Sequence, residues 1–499
     1  MERELLTRYL LVIAIMGISF AGVGFGLYLL KYIVTTPAEV ALTIVFLILV
    51  TSNTVFNAFG CYYYIRSYGL DKFTPKKLAH YPRVAVVVPA RNEKEEMVKR
   101  NLESLTRLDY PKDKFRIFLL DNSTKKSDEL ERFCKQLGVN YIYMENPVKL
   151  KSYVMNKFID MVDEEYIAVF DADEYLTNPR FLQEVLPSLD KKASFVQTEK
   201  QFAPGSFFAN GVNTYYSFFY KFIQPVRNLC RSTMFCGSCG VVRKSVLKEV
   251  GGFPNSPTED AAFSFRADLI GRGGVFIPKT YALGEPIEHF ETFLSQQWRY
   301  TIGNIWILME YFQHIFKLKA EKHIHYLAQT FGYAYLSVLF IFYSLLSIVF
   351  VLTDIALRSL HSPVFLPEHL KMFAVSYIIA IFLLVVVGGR LYFGSFRLGI
   401  MATLLNFSSA FVRTKAMIVG FLNFKPRFVM SRQVKTKRSL FEALKANFLE
   451  TFYSFTLFLF SLLSFLRHDV VSAFWLFWYS TLFICSLIFS YSTEVKQLF

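Results

Sequence analysis

The stretch RVAVVVPA, Arg83–Ala90, decides how the rest of the chain is read. It is a short apolar run, rich in β-branched residues, that closes on Pro and Ala. Such a run suits a strand buried on both faces. EKEEMVKRNLESL (Glu93–Leu105) follows with helical character. RIFLLDNS (Arg116–Ser123), a helix through Glu129–Leu137, YIYMEN (Tyr141–Asn146), a helix from Lys151 and YIAVFDADE (Tyr166–Glu174) continue the pattern. Short apolar strands thus alternate with helices of about a dozen residues, the βα alternation of an α/β, doubly wound parallel sheet. In such sheets ligands bind beyond the carboxyl ends of the strands. The exits to examine are PARNE (Pro89–Glu93), DNS (Asp121–Ser123) and DAD (Asp171–Asp173). Asp and Asn are ordinary turn residues, and DAD alone reads first as a turn. Three exits carrying carboxylates or amides to one edge point instead to a site where Asp171 and Asp173 hold a hard divalent cation with a diphosphate.

The segments outside His80–Lys319 have a different character. Of 499 residues 53% are hydrophobic, with 54 Phe and 29 Tyr, the composition of a chain partly dissolved in lipid. Spans are expected near Tyr9–Leu30, Val40–Tyr63, Tyr326–Leu352, Phe373–Phe393, Ala443–Phe465 and Val470–Phe489. Leu398–Phe424 is apolar but carries Arg413 and Lys415, and reads as an interfacial helix. Net charge is +15. Nine basic residues and no acid lie from Arg397 to Arg438 (Arg397, Arg413, Lys415, Lys425, Arg427, Arg432, Lys435, Lys437, Arg438). Between apolar segments this reads as a cytosolic loop rather than a nucleic-acid patch, and it puts the central region on the cytosolic side of the cell membrane. Six cysteines are scattered, and Cys236-Gly-Ser-Cys239 has no second pair to complete a zinc site.

Thr258-Glu259-Asp260 precedes a helical pattern. It reads as a helix start, with Ser256 or Thr258 as cap and the acids favourable at the N-terminus. It also reads as a place for a general base, Asp260. FLSQQWRYTIGNIW (Phe293–Trp306) then sets Arg299 between Trp298 and Tyr300 shortly before an apolar stretch.

In order along the chain stand Pro89-x-x-Asn92-Glu93, Asp121, Asp171-Ala-Asp173, Phe235-Cys-Gly-Ser-Cys239, Thr258-Glu259-Asp260 and Gln296-x-x-Arg299-Tyr300. This order resembles the processive family 2 glycosyltransferases, the cellulose, curdlan and hyaluronan synthase group, over about Arg83–Ile302. FCGSC is most similar to the glucan-synthesising members. The resemblance implies a GT-A domain at 80–319 inserted between two N-terminal spans (1–79) and four C-terminal spans (320–499), with a gating-like loop near 425–438. It implies a UDP-sugar donor, best guess UDP-glucose, Mg²⁺ or Mn²⁺ as cofactor, and inverting transfer to a growing β-linked polysaccharide that is translocated. On the donor it implies Asn92, Glu93, Asp121, Lys151, Asp171, Asp173, Gln296 and Arg299. On the acceptor it implies Cys236, Gly237, Ser238, Glu259 and Tyr300, and Asp260 as base. Phe428 and Ser431 match the gating loop. Accessory export or regulatory subunits and membrane lipids are the further partners implied, and no nucleic acid.

Three departures are specific. Tyr300 stands where the group carries Trp. Lys151 and Asn156 fit its Lys-x-Gly-x-x-Asn loop, but Tyr153 replaces the Gly. Around KPRFVMSR (Lys425–Arg432) only Phe428 and Ser431 match. Two other readings compete. One is non-processive transfer of a sugar to a polyprenyl phosphate or lipid. The other is a transporter with a nucleotide-binding domain, which would prefer internal repeats and ionisable residues within spans.

Overall fold

The computed structural model describes residues 2–145, 150–354, 389–390, 394–422 and 439–491. Its centre is one eight-stranded sheet. The strands are β1 (Val84–Ala90), β2 (Phe115–Asp121), β3 (Asn140–Tyr143), β4 (Tyr166–Val169), β5 (Glu174–Leu176), β6 (Phe195–Phe202), β7 (Gly240–Arg243) and β8 (Val275–Gly284). Their order across the sheet is β3-β2-β1-β4-β7-β6-β8-β5. Both faces are covered, as the run at Arg83–Ala90 demands. Val84, Val86 and Val88 enter one apolar cluster, and Ala85 and Val87 enter another.

Strands β3, β2, β1 and β4 are mutually parallel, as the βα alternation predicts. The sheet is nevertheless mixed, because β7 runs antiparallel to both β4 and β6, and β5 antiparallel to β8. An antiparallel strand needs no crossover helix to bring the chain back, so its entrance lies at the edge where its neighbours exit. Val169 pairs with Gly240, which delivers Cys236–Cys239 beside Asp171–Asp173. Gln197 of β6 also pairs with Gly240. Residues 198–202 of β6 therefore overhang that same edge.

Helix starts follow local chemistry. The helix expected from Glu93 begins at Glu95, because Asn92 takes a left-handed φ of 53° and Lys94 is extended. Thr36 and Glu39 form a reciprocal capping box at the head of Pro37–Arg66. Gly138, at φ 69°, ends Asp128–Leu137.

Among the described residues five helices are long and apolar enough to cross a bilayer: Glu4–Tyr32, Pro37–Arg66, Tyr335–Leu352, Phe448–Leu466 and Ser472–Tyr491. Leu10, Ile13 and Phe20 stand exposed on the first, as lipid-facing side chains do. These helices mark a membrane protein. The expected span at Tyr326 starts later, since a π-helical turn at Leu327–Phe331 precedes Gly332–Leu352. The expected span at Phe373–Phe393 lies almost wholly outside the described residues. Where one interfacial helix is expected the described residues form two, Phe396–Ser408 and Ala410–Phe421, of 13 and 12 residues, each too short for a core of about 30 Å.

A buried polar network joins the sheet region to these helices. The Asp268 carboxylate accepts from Lys322 Nζ, Tyr326 Oη and Ser232 Oγ, each at 2.7 Å. The fully buried Arg227 donates to the Ser232 carbonyl at 2.5 Å, and Tyr63 Oη lies 2.7 Å from His325 Nδ1. Lys322 and Asp268 are ion-paired and Arg227 is held by neutral oxygens, so the network ties Glu259–Leu269 to Ala320–Tyr326 and, through Tyr63, to Pro37–Arg66.

Candidate active site

The site is built where the sheet edge meets the helix Phe290–Gln313. At the β1 and β2 exits the chain is stitched to itself. Asn92 N donates to Ser123 Oγ at 2.8 Å, and Thr124 N donates to Asn92 Oδ1 at 2.9 Å. Asp121 is buried and accepts from Tyr141 Oη at 2.6 Å and from Ser123 N at 2.9 Å. Glu93, next along, is raised by the surrounding protein and then by the charge of Asp171.

Around β4 and β7 the side chains converge. Lys151 Nζ lies 2.5 Å from Asp171 Oδ1 and donates to the Gly237 carbonyl at 2.9 Å. Lys200 Nζ is 3.4 Å from Asp171 Oδ2 and 3.0 Å from Glu174 Oε1. Glu174 also accepts from Ser238 Oγ at 2.6 Å and from Asp171 N at 2.9 Å. Burial alone would raise Asp171, but the two ammonium groups override it and hold the carboxyl far below its ordinary range. Asp173 goes the other way: burial, then the charges of Asp171 and Glu174, push it up to about 7.

The FCGSC loop is clamped by buried amides. Cys236 N donates to Gln197 Oε1 at 2.7 Å, and Gln197 Nε2 donates to the Ser238 carbonyl at 2.9 Å. Met234 is held the same way by Gln224, at 3.0 and 2.6 Å. Gly237, at φ 78°, brings its backbone so close to Asp260 that a Cβ there would meet Oδ2 at 2.9 Å. Both cysteines are free, and burial pushes the Cys236 thiol up to about 12, which removes it from thiolate chemistry.

Glu259 and Asp260 open the helix Glu259–Leu269. Thr258 makes no side-chain cap; Ser256 Oγ instead accepts from Thr258 N at 3.3 Å, and Asp260 Oδ1 accepts from Ala261 N at 2.8 Å. Neither Ser256 nor Thr258 therefore caps the helix as expected; Asp260 meets the helix end with one oxygen and turns the other to Gly237. Burial and the charge of Asp260 push Glu259 up to about 7. Burial also raises Asp260, against the Ala261 N–H and the charges of Lys151 and Lys200.

Tyr300 approaches Tyr216 edge-on, with ring centroids 6.3 Å apart, and feels the charges of Lys200 and Asp260. Arg299 acts on Glu259 electrostatically. Gln296 accepts from Tyr216 Oη at 2.8 Å, so its amide serves the aromatic wall. This helix meets the Thr258 turn at Gly303, where a Cβ would fall 2.0 Å from Thr258 Oγ1. Gly303→Ala is therefore expected to displace Thr258–Asp260 and to cost about 1–3 kcal/mol of stability. The check is a lower Tm in detergent together with a reduced rate; a variant matching wild type in both would contradict the close approach.

The structure thus brings Lys151, Asp171, Asp173, Gly237, Ser238, Glu259, Asp260, Arg299 and Tyr300 to one place. Asn92 and Asp121 occupy a separate corner at the β1 and β2 exits. Asn156 faces away and locks the Phe253 backbone, at 2.8 and 2.9 Å. Phe428 and Ser431 lie outside the described residues. Lys200 and Glu174 were not legible as site residues. The overhang of β6 that carries Lys200 is visible only from its register with β7.

A divalent cation fits this edge. The Asp173 carboxylate makes no hydrogen bond or ion pair among the described residues, and it is held up by negative neighbours that a cation would offset. No three His, Cys, Asp or Glu among the described residues are grouped to hold a metal unaided. Diphosphate oxygens would have to complete the ligand set.

Residues 85–251 match the family described as Glycosyl transferase family 2. A cellulose synthase catalytic subunit [UDP-forming] of Pseudomonas fluorescens (strain SBW25) is 32% identical over 232 residues, 45% of this chain and 31% of that protein. Cellulose synthase 2 of Novacetimonas hansenii is 28% identical over 258 residues, 49% of this chain and 16% of that protein. The chain therefore spans less than a third of the length of these curated relatives. A mannosyltransferase from Pyrobaculum calidifontis, solved with GDP-Man and Mn²⁺, superposes with a TM-score of 0.48 at 15% identity, over 74% of this chain and 98% of that one.

Proposed function

We propose that this chain, whose residues 85–251 are a glycosyltransferase family 2 domain of GT-A fold, transfers a sugar from a UDP-sugar to a β-linked polysaccharide and passes the product into the membrane. The observation that carries this reading is the placement of Asp260. One oxygen is fixed by Ala261 N–H and the other is turned to Gly237, across from the DAD edge and next to Tyr300. A donor held on that edge presents its anomeric carbon to an acceptor hydroxyl that Asp260 deprotonates. Attack from the face opposite the diphosphate inverts the carbon, so an α-linked donor gives a β-linked product. The relatives named as UDP-forming cellulose synthases favour UDP-glucose.

The other residues follow by position. Asn92, Glu93 and Asp121 border the nucleoside. Lys151, positioned by Asp171, orients the diphosphate, and Arg299 meets it with a permanently charged planar fork. Mg²⁺ or Mn²⁺ on Asp173 and the donor phosphates would neutralise charge on the departing UDP. The loop Cys236–Ser238, Glu259 and Tyr300 line the acceptor side, where an aromatic face receives the C–H surface of a sugar ring. In this reading residues 80–319 are cytosolic, 1–79 and 320–499 hold the spans, and the loop near 425–438, with Phe428 and Ser431, covers the donor.

The test is product sizing. Purified protein in bilayers is given a panel of labelled UDP-sugars. A polymer is expected from one of them, with fewer or shorter chains from Tyr300→Ala and no loss from Tyr300→Trp. A product that stays one sugar long on a lipid would overturn the polymer reading in favour of a polyprenyl-phosphate acceptor.

A further inference from the structure

Lys200 has no part in the reading above, yet it stands at the centre of the site. It lies on the overhang of β6, its side chain four-fifths buried. A buried ammonium needs a fixed anion, and Glu174 provides it at 3.0 Å. Glu174 is itself held by Asp171 N–H and Ser238 Oγ, and is 3% exposed. The Lys200–Glu174–Ser238 unit is therefore rigid before any ligand arrives. Lysine carries three donors. One meets Glu174 and one meets Ser238 Oγ. The third reaches only Asp171 Oδ2, at 3.4 Å, and Asp171 already has Lys151 at 2.5 Å. This third proton is the one an incoming anion can take at little cost. Lys200 also acts electrostatically on Asp260 and Tyr300, so it stands between the DAD edge and the acceptor wall.

We propose that Lys200 binds the donor diphosphate directly and gives the site a metal-independent hold on UDP. This rests on the glycosyltransferase reading above. The same ammonium then serves the transfer. The acceptor oxygen bonds to the anomeric carbon, the bond from that carbon to the β-phosphate oxygen breaks with its electron pair, and the acceptor proton goes to Asp260. The charge that appears on the departing UDP falls beside a cation already in place, so no group has to reorganise to meet it. The competing role for Lys200 is purely structural, as the counter-ion of Glu174.

The two roles separate in UDP and uridine titrations of the full chain in detergent, by calorimetry in excess EDTA. Wild type is expected to bind UDP more tightly than uridine without metal, and Lys200→Arg, which keeps the cation, should behave alike. Lys200→Met combined with Glu174→Gln removes both charges and leaves no unpaired acid. It should lose about 10- to 100-fold in UDP affinity, the effect of one charge-assisted hydrogen bond. Its uridine affinity should be unchanged, which shows an intact site. The proposal is overturned if this double variant binds UDP in EDTA as wild type does, or if wild type in EDTA prefers uridine. If wild type binds neither ligand with Mn²⁺ present, the donor reading itself falls, and this inference with it.

Discussion

Asp260→Asn is expected to lower turnover by about 10²–10⁴-fold while UDP affinity stays near wild type. Asn keeps the shape of the side chain and can still accept from Ala261 N–H, so the helix start at Glu259 survives. What it loses is the ability to take a proton from the acceptor. The pH profile should carry the same signature. Burial raises both Glu259 and Asp260, the first to about 7, so the two titrate as a pair above the usual carboxylate range. A base works only when deprotonated, and burial raises Asp260, so the wild-type rate should fall with decreasing pH earlier than an ordinary carboxylate would make it fall. The residual rate of Asp260→Asn should be nearly flat over the same interval. Steady-state rates across pH, with donor affinity measured separately, provide the check. If Glu259→Gln were the crippling change and Asp260→Asn the mild one, the roles of the two acids would be exchanged.

Much of this site was legible because its parts are strand exits. Buried runs such as Val84–Ala90 and Tyr166–Val169 announce themselves by composition, and the residue after each must sit at an edge. That places Asp121, Asp171 and Asp173 from the chain alone. The helix Phe290–Gln313 was likewise marked by its aromatics and Arg299. What stayed hidden depends on pairing between distant segments. The antiparallel course of β7 is set by where the chain returns after the helices Phe207–Phe218 and Gln224–Leu229, and nothing in Gly240–Arg243 encodes it. Lys200 reaches the site only because that course fixes the register of β6. The Asp268–Lys322 pair was hidden for a similar reason, since 54 residues separate two side chains that meet only when the helix Ala320–Tyr326 packs on Glu259–Leu269. Asn156 shows the opposite failure. Its spacing from Lys151 fits a donor loop, yet in the fold it holds Phe253.

Asp173→Ala is expected to abolish the gain in UDP affinity that Mn²⁺ confers and to lower the Mn²⁺-supported rate by at least about 10²-fold. The reasoning turns on how differently the two carboxylates of the DAD turn are occupied. Asp171 is committed to Lys151 and Lys200, and a cation approaching it would meet two ammonium groups. Asp173 makes no ion pair among the described residues, and its charge is opposed by Asp171, Glu174 and Glu93. A dication at Asp173 offsets that opposition, and a diphosphate brings the further oxygens the ion requires. Removing the carboxylate therefore removes the metal-dependent part of donor binding. The metal-free part should persist, because deleting a negative charge beside the diphosphate does not harm, and can improve, the hold that the lysines exert. The pattern expected from calorimetry is UDP binding in EDTA equal to or tighter than wild type, with no tightening when Mn²⁺ replaces EDTA. An Asp173→Ala enzyme that still gains affinity from Mn²⁺ would move the metal to other ligands, and one that loses UDP binding in EDTA as well would give Asp173 a direct part in holding the nucleotide.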